Sequence, residues 1–228
     1  AFLTSLLAGN HVQSLVDELM VGETYFFREP SQFEFLRRHV LPELRKQRNE
    51  HHCLRAWSAG CASGEEAYSL AILFEEEGFG GRATILATDI SQDALRRANA
   101  GVYGSWSLRG SAAERLGQYV ERSGSSFVVA PRFRQRVRFQ PLNLVGDPYP
   151  DPGGGTSSLD LILCRNVVIY FDSATAQRVL RRLVSCLAPG GWLVIGPSDP
   201  LLIDDGTAEI VSTEHGIFYR RRTEPARP

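Results

Sequence analysis

Apolar positions along the chain follow two spacings, that of buried strands and that of amphipathic helices. Short apolar runs predict strands at 54–58, 83–88, 160–164 and 192–195. Helical spacing predicts helices from Pro30 towards Arg48, from the turn after 58 to Gly78, over 92–100 and over 173–187. Strands that alternate with helices in this way are typical of a mostly parallel sheet with helices on both faces.

Other segments depart from this alternation. Residues 111–140 predict a short helix near 114–120 followed by strands at 127–129 and 136–140, which we interpret as a small β insertion. Residues 216–220 predict a closing edge strand. Residues 2–20 have a helical pattern, and the Gly- and Pro-rich residues 145–158 predict a mobile surface loop.

Composition narrows the possible functions of the chain. A length of 228 residues suits one large domain, and a formal net charge of −1 argues against a general nucleic-acid binder. No apolar run approaches the roughly 20 residues that span a bilayer. The four cysteines are widely spaced and form no C-x-x-C pair, so we expect neither a metal site nor disulfides, and a cytoplasmic location.

Candidate ligand-binding residues follow the predicted strands, because open α/β sheets bind ligands beyond the carboxyl ends of their strands. The small residues of the turn 58–64, including Ala59 and Gly60, would let the backbone approach a ligand, although a tight structural turn explains them equally well. Ser63 and Glu66 fit a helix capping box, which leaves Glu65 without an internal partner and available to a cationic ligand group. Its alternative role is a favourable interaction with the helix dipole.

Polar residues near two other segment ends are further candidates. Asp89 ends the second strand, where a carboxylate accepts hydrogen bonds from ribose hydroxyls, and Ser91 or Asp93 would serve better as the next helix cap. Arg165 and Asn166 follow the strand at 160–164, although spacing leaves open whether Arg165 faces solvent. Between two helices, packing explains Phe26 and Phe27 but does not require Thr24 and Arg28.

Several motifs together resemble the CheR-type chemoreceptor glutamate O-methyltransferases. The matching segments occur in the family's order across residues 22–199. They are TYFFREP at 24–30, AGCASGEEAYS at 59–69, ATDIS at 87–91, LNL at 142–144, CRNVVIYF at 164–171 and LAPGG at 187–191.

The resemblance implies a Rossmann-like S-adenosylmethionine-dependent methyltransferase domain at 30–228, with a β-subdomain at about 111–140. Residues 1–29 would be the remnant of an N-terminal helical domain and a linker. S-adenosylmethionine would be the methyl donor and S-adenosylhomocysteine the product, with no metal. By analogy, Arg28 and Tyr170 are catalytic, and the cofactor contacts are Thr24, Arg28, Ala59, Gly60, Glu65, Asp89, Asn143, Leu144, Arg165 and Asn166.

The resemblance also implies partners, although this sequence differs from the family pattern at several positions. The expected acceptors are cytoplasmic domains of chemoreceptors, with docking through the β-subdomain in some members, and we expect a monomer that is not embedded in a membrane. Gly22 stands where the family usually has Asn, Asp199 where its G-x-S-E pattern has Glu, and most of the helical domain is missing. A methyltransferase with another substrate, or a non-catalytic cofactor-binding scaffold, remains an alternative.

The positive charge is almost all arginine, because Lys46 is the only lysine, and for most positions we attribute this to base composition. Two groups suggest local basic surfaces for acidic receptor helices. Arg132, Arg134, Arg136 and Arg138 alternate with other residues and would share one face of a regular strand, although a solvated face is the simpler interpretation. The second group, on the helix after Pro30, is Arg37, Arg38, Arg45, Lys46 and Arg48.

Overall fold

The computed structural model describes residues 23–49, 51–110 and 115–223. The helix predicted over 2–20, Gly22 and the start of the helix predicted near 114–120 lie outside these ranges. Among the described residues, no helix has both the length and the apolar composition to cross a membrane.

A seven-stranded sheet forms the centre of the fold, in the order β6-β2-β1-β7-β8-β10-β9. The first five of these strands run parallel to their neighbours, whereas β10 is antiparallel to both β8 and β9. The strands are β1 Leu54–Ala59, β2 Ala83–Asp89, β6 Val137–Pro141, β7 Leu159–Cys164, β8 Leu187–Ile195, β9 Ala208–Thr213 and β10 Gly216–Arg221. The predicted alternating α/β core is therefore confirmed.

The prediction that the last strand closes the sheet edge is wrong. β10 lies inside the sheet, and β9 forms the edge, because a tight hairpin pairs Thr213 with Gly216. The sequence does not mark β9 clearly, since Glu209 and Ile210 are both exposed and the strand lacks a clear apolar run. A half-solvated edge strand carries a weaker pattern than a buried one.

Helices cover both faces of the sheet. They are α1 Pro30–Phe35, α2 Leu41–Gln47, α3 Glu65–Glu76, α4 Gln92–Ala100, α5 Pro131–Arg134 and α6 Ser173–Cys186. A π-helical turn, Leu36–Val40, joins α1 to α2. Pro42 follows this turn and has no N–H to continue an ordinary helical ladder, and the Leu41 amide bonds back to the Leu36 carbonyl.

The alternation of side chains across the sheet divides the interior into two cores. Leu161 packs in a cluster with α1 to α3, which includes Phe33 and Phe74, whereas the next residue, Ile162, packs in the opposite cluster with Leu180 of α6. Because both faces of the central strands are buried, their sequences are almost continuously apolar.

A separate three-stranded antiparallel sheet, in the order β3-β5-β4, stands beside the large sheet. Its strands are β3 Val102–Tyr103, β4 Val120–Ser123 and β5 Ser126–Val129. The strand predicted at 136–140 is not part of it. Residues 137–141 form β6, which pairs in parallel with β2, because Val137 and Phe139 continue the main sheet next to Ile85 and Ala87.

The four arginines at 132–138 do not share the face of one strand. Arg132 and Arg134 lie on the short helix α5, and only Arg138 belongs to β6. Arg136 forms an ion pair with Glu75, and Arg138 donates to the Gly154 carbonyl. The regular strand on which this basic face depended is absent, because Pro131 begins a helical turn there.

The basic group on the π turn, on α2 and at the end of α2 is largely paired with acidic or carbonyl groups. Arg37 binds Glu76, Arg38 binds Glu34, and Arg45 donates to the Glu77 carbonyl. Arg48 binds the fully buried Asp160, which also accepts from His52. These partners neutralise much of the charge that the sequence alone indicates.

Candidate functional site

A cleft of about 360 Å³ lies along the carboxyl edge of the parallel strands. Its walls come from the segments that follow β1, β2, β6 and β7, together with residues 23–28. Most of the predicted site residues line this cleft: Thr24, Arg28, Gly60, Asp89, Asn143, Leu144, Arg165, Asn166 and Tyr170. Ala59 and Glu65 are buried beside it and do not line it.

The turn after β1 depends on glycine at residue 60. Gly60 has a φ of +79°, and a Cβ there would lie 2.4 Å from the Cγ2 atom of Val167. The Gly60 and Cys61 amides both donate to the Thr88 carbonyl, at 2.8 and 2.9 Å, which ties this turn to the end of β2. The absence of a side chain at Gly60 therefore lets this turn lie close to Val167, and it also leaves the backbone accessible to a ligand.

Asp89 ends β2 at the cleft, and backbone amides fix its carboxylate. One oxygen accepts from the Ala62 amide at 2.8 Å and the other from the Ser91 amide at 2.9 Å. Ser91 caps α4 by accepting from the Ala94 amide. The alternative role of Asp89, as the cap of this helix, is therefore filled by Ser91. The carboxylate therefore lines the cleft in a fixed orientation.

Glu66 and Arg165 form a buried ion pair in the cleft wall. Arg165 Nε lies 2.7 Å from Glu66 Oε2, and Ser58 donates to the other Glu66 oxygen at 2.7 Å. The capping box predicted for Ser63 and Glu66 is therefore wrong. Gly64 occupies the N-cap with a φ of +92°, and Glu66 turns into the cleft instead of back along the helix.

Glu65 has internal partners, contrary to the sequence prediction. Its two oxygens accept from Ser63 Oγ at 2.7 Å and from Ser107 Oγ at 2.8 Å. Burial raises the pKa of this carboxyl, and the two hydroxyl hydrogen bonds oppose that rise. Ser107 is more than forty residues away along the chain, so no local pattern could reveal the contact.

Arg28 and Tyr170 stand at the cleft with different surroundings. The Arg28 guanidinium donates to the Glu23 carbonyl at 2.6 Å, which uses one of its five N–H donors. The Arg28 carbonyl accepts from Arg165 Nη1 at 2.7 Å, so the backbone here is tied to the buried ion pair. Tyr170 is 58% exposed, which leaves it accessible to a second substrate.

Asp199, which the sequence marks only as a departure from the family's G-x-S-E pattern, supports the wall of the cleft. Its carboxylate accepts backbone amides from Asn166 at 2.6 Å, Ile169 at 3.1 Å and Gly196 at 2.7 Å. Burial raises its pKa, opposed by these amide bonds. Asp199 thereby fixes the segment that carries Tyr170, and Asn166 adopts a φ of +58° within it.

Asn143 and Leu144 form another part of the cleft, beyond β6. The Asn143 side-chain oxygen accepts from the Val145 amide at 2.9 Å, and the backbone N–H of Asn143 donates to the Asp147 carboxylate at 2.7 Å. The Leu144 side chain is buried, and its carbonyl accepts from the Tyr149 hydroxyl at 2.7 Å. Tyr149 lies in the segment predicted as a surface loop, where its buried ring supports this wall.

The fold and the cleft together define a class of protein. An open, mostly parallel sheet with an acid at the tip of β2 and a ligand-sized cleft at its carboxyl edge is typical of α/β domains that bind nucleosides and nucleotides. Among the described residues, no group of three or more histidine, cysteine or acidic side chains is arranged to hold a metal ion.

Comparison with known proteins identifies the family. Residues 22–217 match the family described as CheR methyltransferase, SAM binding domain. The chain therefore belongs to the CheR family of S-adenosylmethionine-dependent methyltransferases.

Several curated relatives support this assignment. Chemotaxis protein methyltransferase 1 of Pseudomonas aeruginosa is 38% identical over 218 residues, which cover 92% of this chain and 77% of that protein. The Escherichia coli chemotaxis protein methyltransferase is 37% identical over 193 residues, or 82% of this chain and 64% of that protein. A probable biofilm formation methyltransferase of P. aeruginosa, WspC, is 32% identical, covering 95% of this chain and 50% of that protein.

Proposed function

We propose that this chain transfers a methyl group from S-adenosylmethionine to glutamate side chains of chemoreceptors, giving glutamyl methyl esters and S-adenosylhomocysteine. The family assignment supports the methyltransferase chemistry, and the names of the relatives support chemoreceptors as the acceptors. The observation that carries the proposal is one cleft with Asp89 in its wall and both Arg28 and Tyr170 lining it. In this proposal the nucleoside site and the acceptor site would be contiguous.

The side chains of the cleft fit S-adenosylmethionine. Asp89 would accept the ribose hydroxyls, because two amides hold its carboxylate in place at the tip of β2, where it lines the cleft. Asn143 and Leu144 would flank the adenine, since Leu144 offers an apolar surface and Asn143 a polar group at the same wall. Glu66 also lines the cleft, but its negative charge is balanced by the buried Arg165.

Some of the remaining predicted cofactor residues would contact the cofactor, and the others would support the residues that do. Thr24, Gly60, Arg165 and Asn166 line the cleft and would contact the cofactor or shape its pocket. Ala59 supports the turn from within β1, and Glu65 would reach the amino group of the cofactor only if its carboxylate turned from the two serine hydroxyls. This interpretation makes Glu65 the weakest of the proposed direct contacts.

The chemistry needs orientation more than acid–base catalysis. S-adenosylmethionine supplies an activated methyl group when bound. A glutamate acceptor, with an ordinary pKa of about 4.3, is already ionised at pH 7 and needs no general base. Arg28 would attract and align the carboxylate, and the exposed Tyr170 would direct it and shield it from water. A loose contact with Arg28 is required, since a tight bidentate pair would lower the nucleophilicity of the carboxylate.

Several finer features belong to the same proposal. The protein would act in the cytoplasm, as a monomer, on the cytoplasmic domains of its receptors. The small sheet β3-β5-β4 would be the β-subdomain, which some family members use for docking. Residues 1–29 would complete a helical domain and linker, and the catalytic domain would occupy 30–228. The support for the subdomain is its antiparallel pairing, separate from the large sheet.

The decisive experiment follows a labelled methyl group. The protein is mixed with membranes that carry a chemoreceptor and with methyl-labelled S-adenosylmethionine, and the labelled protein is then treated with base. A glutamyl methyl ester releases labelled methanol, whereas an N-methyl product does not. Label that stays bound in base would indicate another substrate class, and cofactor binding without any transfer would indicate a non-catalytic scaffold.

A further inference from the structure

Trp106 is the most exposed large hydrophobic side chain in the described part of the chain. It is 68% exposed and lies in a 3₁₀ turn, Ser105–Leu108, which follows β3 at the start of the small-sheet region. The other two tryptophans, Trp57 and Trp192, are buried. An aromatic ring of this size at the surface is typical of a contact with another molecule.

The Trp106 ring belongs to a stack that leads to the cleft. The guanidinium carbon of Arg109 lies 4.3 Å from the centre of the Trp106 ring and 3.9 Å from the centre of the Tyr25 ring. Arg109 also pairs with Glu23, at 2.7 Å, and Glu23 lines the cleft. We call Tyr25, Arg109 and Trp106 the aromatic ledge.

The ledge is held rigidly against the cleft. The Phe26 amide donates to the Ser107 carbonyl at 3.0 Å, and the Ser107 hydroxyl donates to the buried Glu65 at 2.8 Å. Tyr103, just before the turn, packs edge-on against Phe26 at 5.0 Å and donates to the Ser63 carbonyl at 2.7 Å. These contacts hold the backbone beside Tyr25 and Trp106 in place without a bound partner, so little backbone entropy is lost on binding.

We propose that the aromatic ledge docks the acceptor protein beside its methylated glutamate, with Trp106 packing against the acidic segment that carries it. This inference rests on the proposed function, because the occupant is the acceptor. Rigid tryptophan, tyrosine and arginine side chains contribute most of the binding energy in many interfaces. Arg28, which donates to the Glu23 carbonyl, adds positive charge on the same rim, whereas the Glu23 carboxylate offsets the charge of Arg109; the charge of Arg28 favours an acidic segment over a basic one.

Continuity with the reaction site supports this occupant. Glu23 contacts both the cleft and the ledge, and it accepts from Arg28 through its carbonyl and from Arg109 through its carboxylate. A chain segment that places a glutamate at Arg28 and Tyr170 would therefore extend over the neighbouring Arg109 and Trp106. The small-sheet region, of which the turn forms the beginning, would in this way contact the acceptor next to its reacting residue.

A kinetic comparison tests the ledge. The substrate is a purified cytoplasmic fragment of a chemoreceptor that the wild-type protein methylates, varied in concentration at saturating cofactor. We expect Trp106→Ala to raise KM for the fragment about tenfold, with kcat and the affinity for S-adenosylhomocysteine unchanged. Trp106→Phe should have a KM close to that of wild type, since phenylalanine retains an aromatic face. Ile203→Ala is the matched control, because Ile203 is 60% exposed and does not line the cleft.

Fluorescence quenching gives a second measurement on the unaltered protein. Since Trp57 and Trp192 are 0% and 4% exposed, iodide should quench Trp106 almost alone. Saturating receptor fragment, with S-adenosylhomocysteine present, should protect Trp106 from iodide. An unchanged KM in Trp106→Ala, or unchanged iodide quenching with bound fragment, would overturn the proposal that the aromatic ledge docks the acceptor. A wild-type protein that methylates no receptor fragment would instead overturn the proposed function.

Discussion

Arg165 and Glu66 join three separate segments of the chain in the wall of the cleft. Arg165 Nε lies 2.7 Å from Glu66 Oε2, and the two side chains are only 2% and 10% exposed. Arg165 Nη1 also donates to Gln32 Oε1 at 2.9 Å and to the Arg28 carbonyl at 2.7 Å. The end of β7, the start of α3 and the segment with Arg28 therefore meet at one guanidinium.

Breaking this pair should destabilise the fold strongly. Arg165→Met leaves the Glu66 carboxylate buried without its cation, which costs about 3–5 kcal/mol for buried pairs of this kind. Urea unfolding of wild type, Arg165→Met, Glu66→Leu and the double variant measures the effect. The double variant should lose less stability than the sum of the single variants, because neither charge remains alone. Additive losses would show that the two side chains do not depend on each other.

Arg28→Ala should separate catalysis from cofactor binding. The variant removes the guanidinium that aligns the acceptor, so we expect methyl transfer to fall by about 10²-fold or more, in line with the loss of a positioning contact. The dissociation constant for S-adenosylhomocysteine, measured by calorimetry, should change by much less. Arg28→Lys retains the charge without the planar guanidinium, so its rate of methyl transfer should lie between those of wild type and Arg28→Ala. Equal losses in transfer and cofactor affinity would contradict the assigned role.

Gly60→Ala should distort the turn at the cleft. The residue has a φ of +79°, and the new Cβ would meet Val167 Cγ2 at 2.4 Å. We expect a loss of about 1–3 kcal/mol in the free energy of unfolding and weaker cofactor binding. Gly81→Ala is the matched control, because nothing lies within 4 Å of its added Cβ. If the two variants had equal unfolding midpoints, the close approach to Val167 would be unimportant.

Glu65 should make a contribution to the free energy of unfolding that decreases as pH rises. Burial raises its pKa in the folded state above the ordinary value for a glutamate, so the folded protein binds a proton that the unfolded chain releases. This stabilisation is fully present below the ordinary glutamate pKa and is lost as pH rises through the raised pKa.

The isosteric variant Glu65→Gln remains neutral and can still bond both serine hydroxyls. The unfolding free energy of wild type minus that of Glu65→Gln should therefore decrease as pH rises from 4 towards 7. Urea titrations across this range measure the difference. A difference that grew with pH would mean that the carboxylate is stabilised in its charged form.

The sequence predicts the repeating core of the fold well. The runs at 54–58, 83–88 and 160–164 and the helix at 92–100 agree with the structure closely, because each has a clear apolar period and a local boundary signal. Ser91 and Asp172 cap α4 and α6 through contacts only three residues long, which a local pattern can reveal. The edge strand β9 and the assignment of 137–141 to the large sheet depend on pairing between distant strands, which no local period encodes.

The sequence by itself therefore determines the alternating α/β architecture, the carboxyl-edge location of Asp89 and the residue types available for chemistry there. Tertiary structure decides which of those side chains meet. Glu66, which the local pattern assigned to a cap, enters the cleft because Arg165, 99 residues away along the chain, binds it. Glu65 is instead covered by Ser107, and Trp106 remains exposed beside it. The reason is physical: burial and electrostatic pairing act through space, whereas caps and periodicity act within a few residues of the chain.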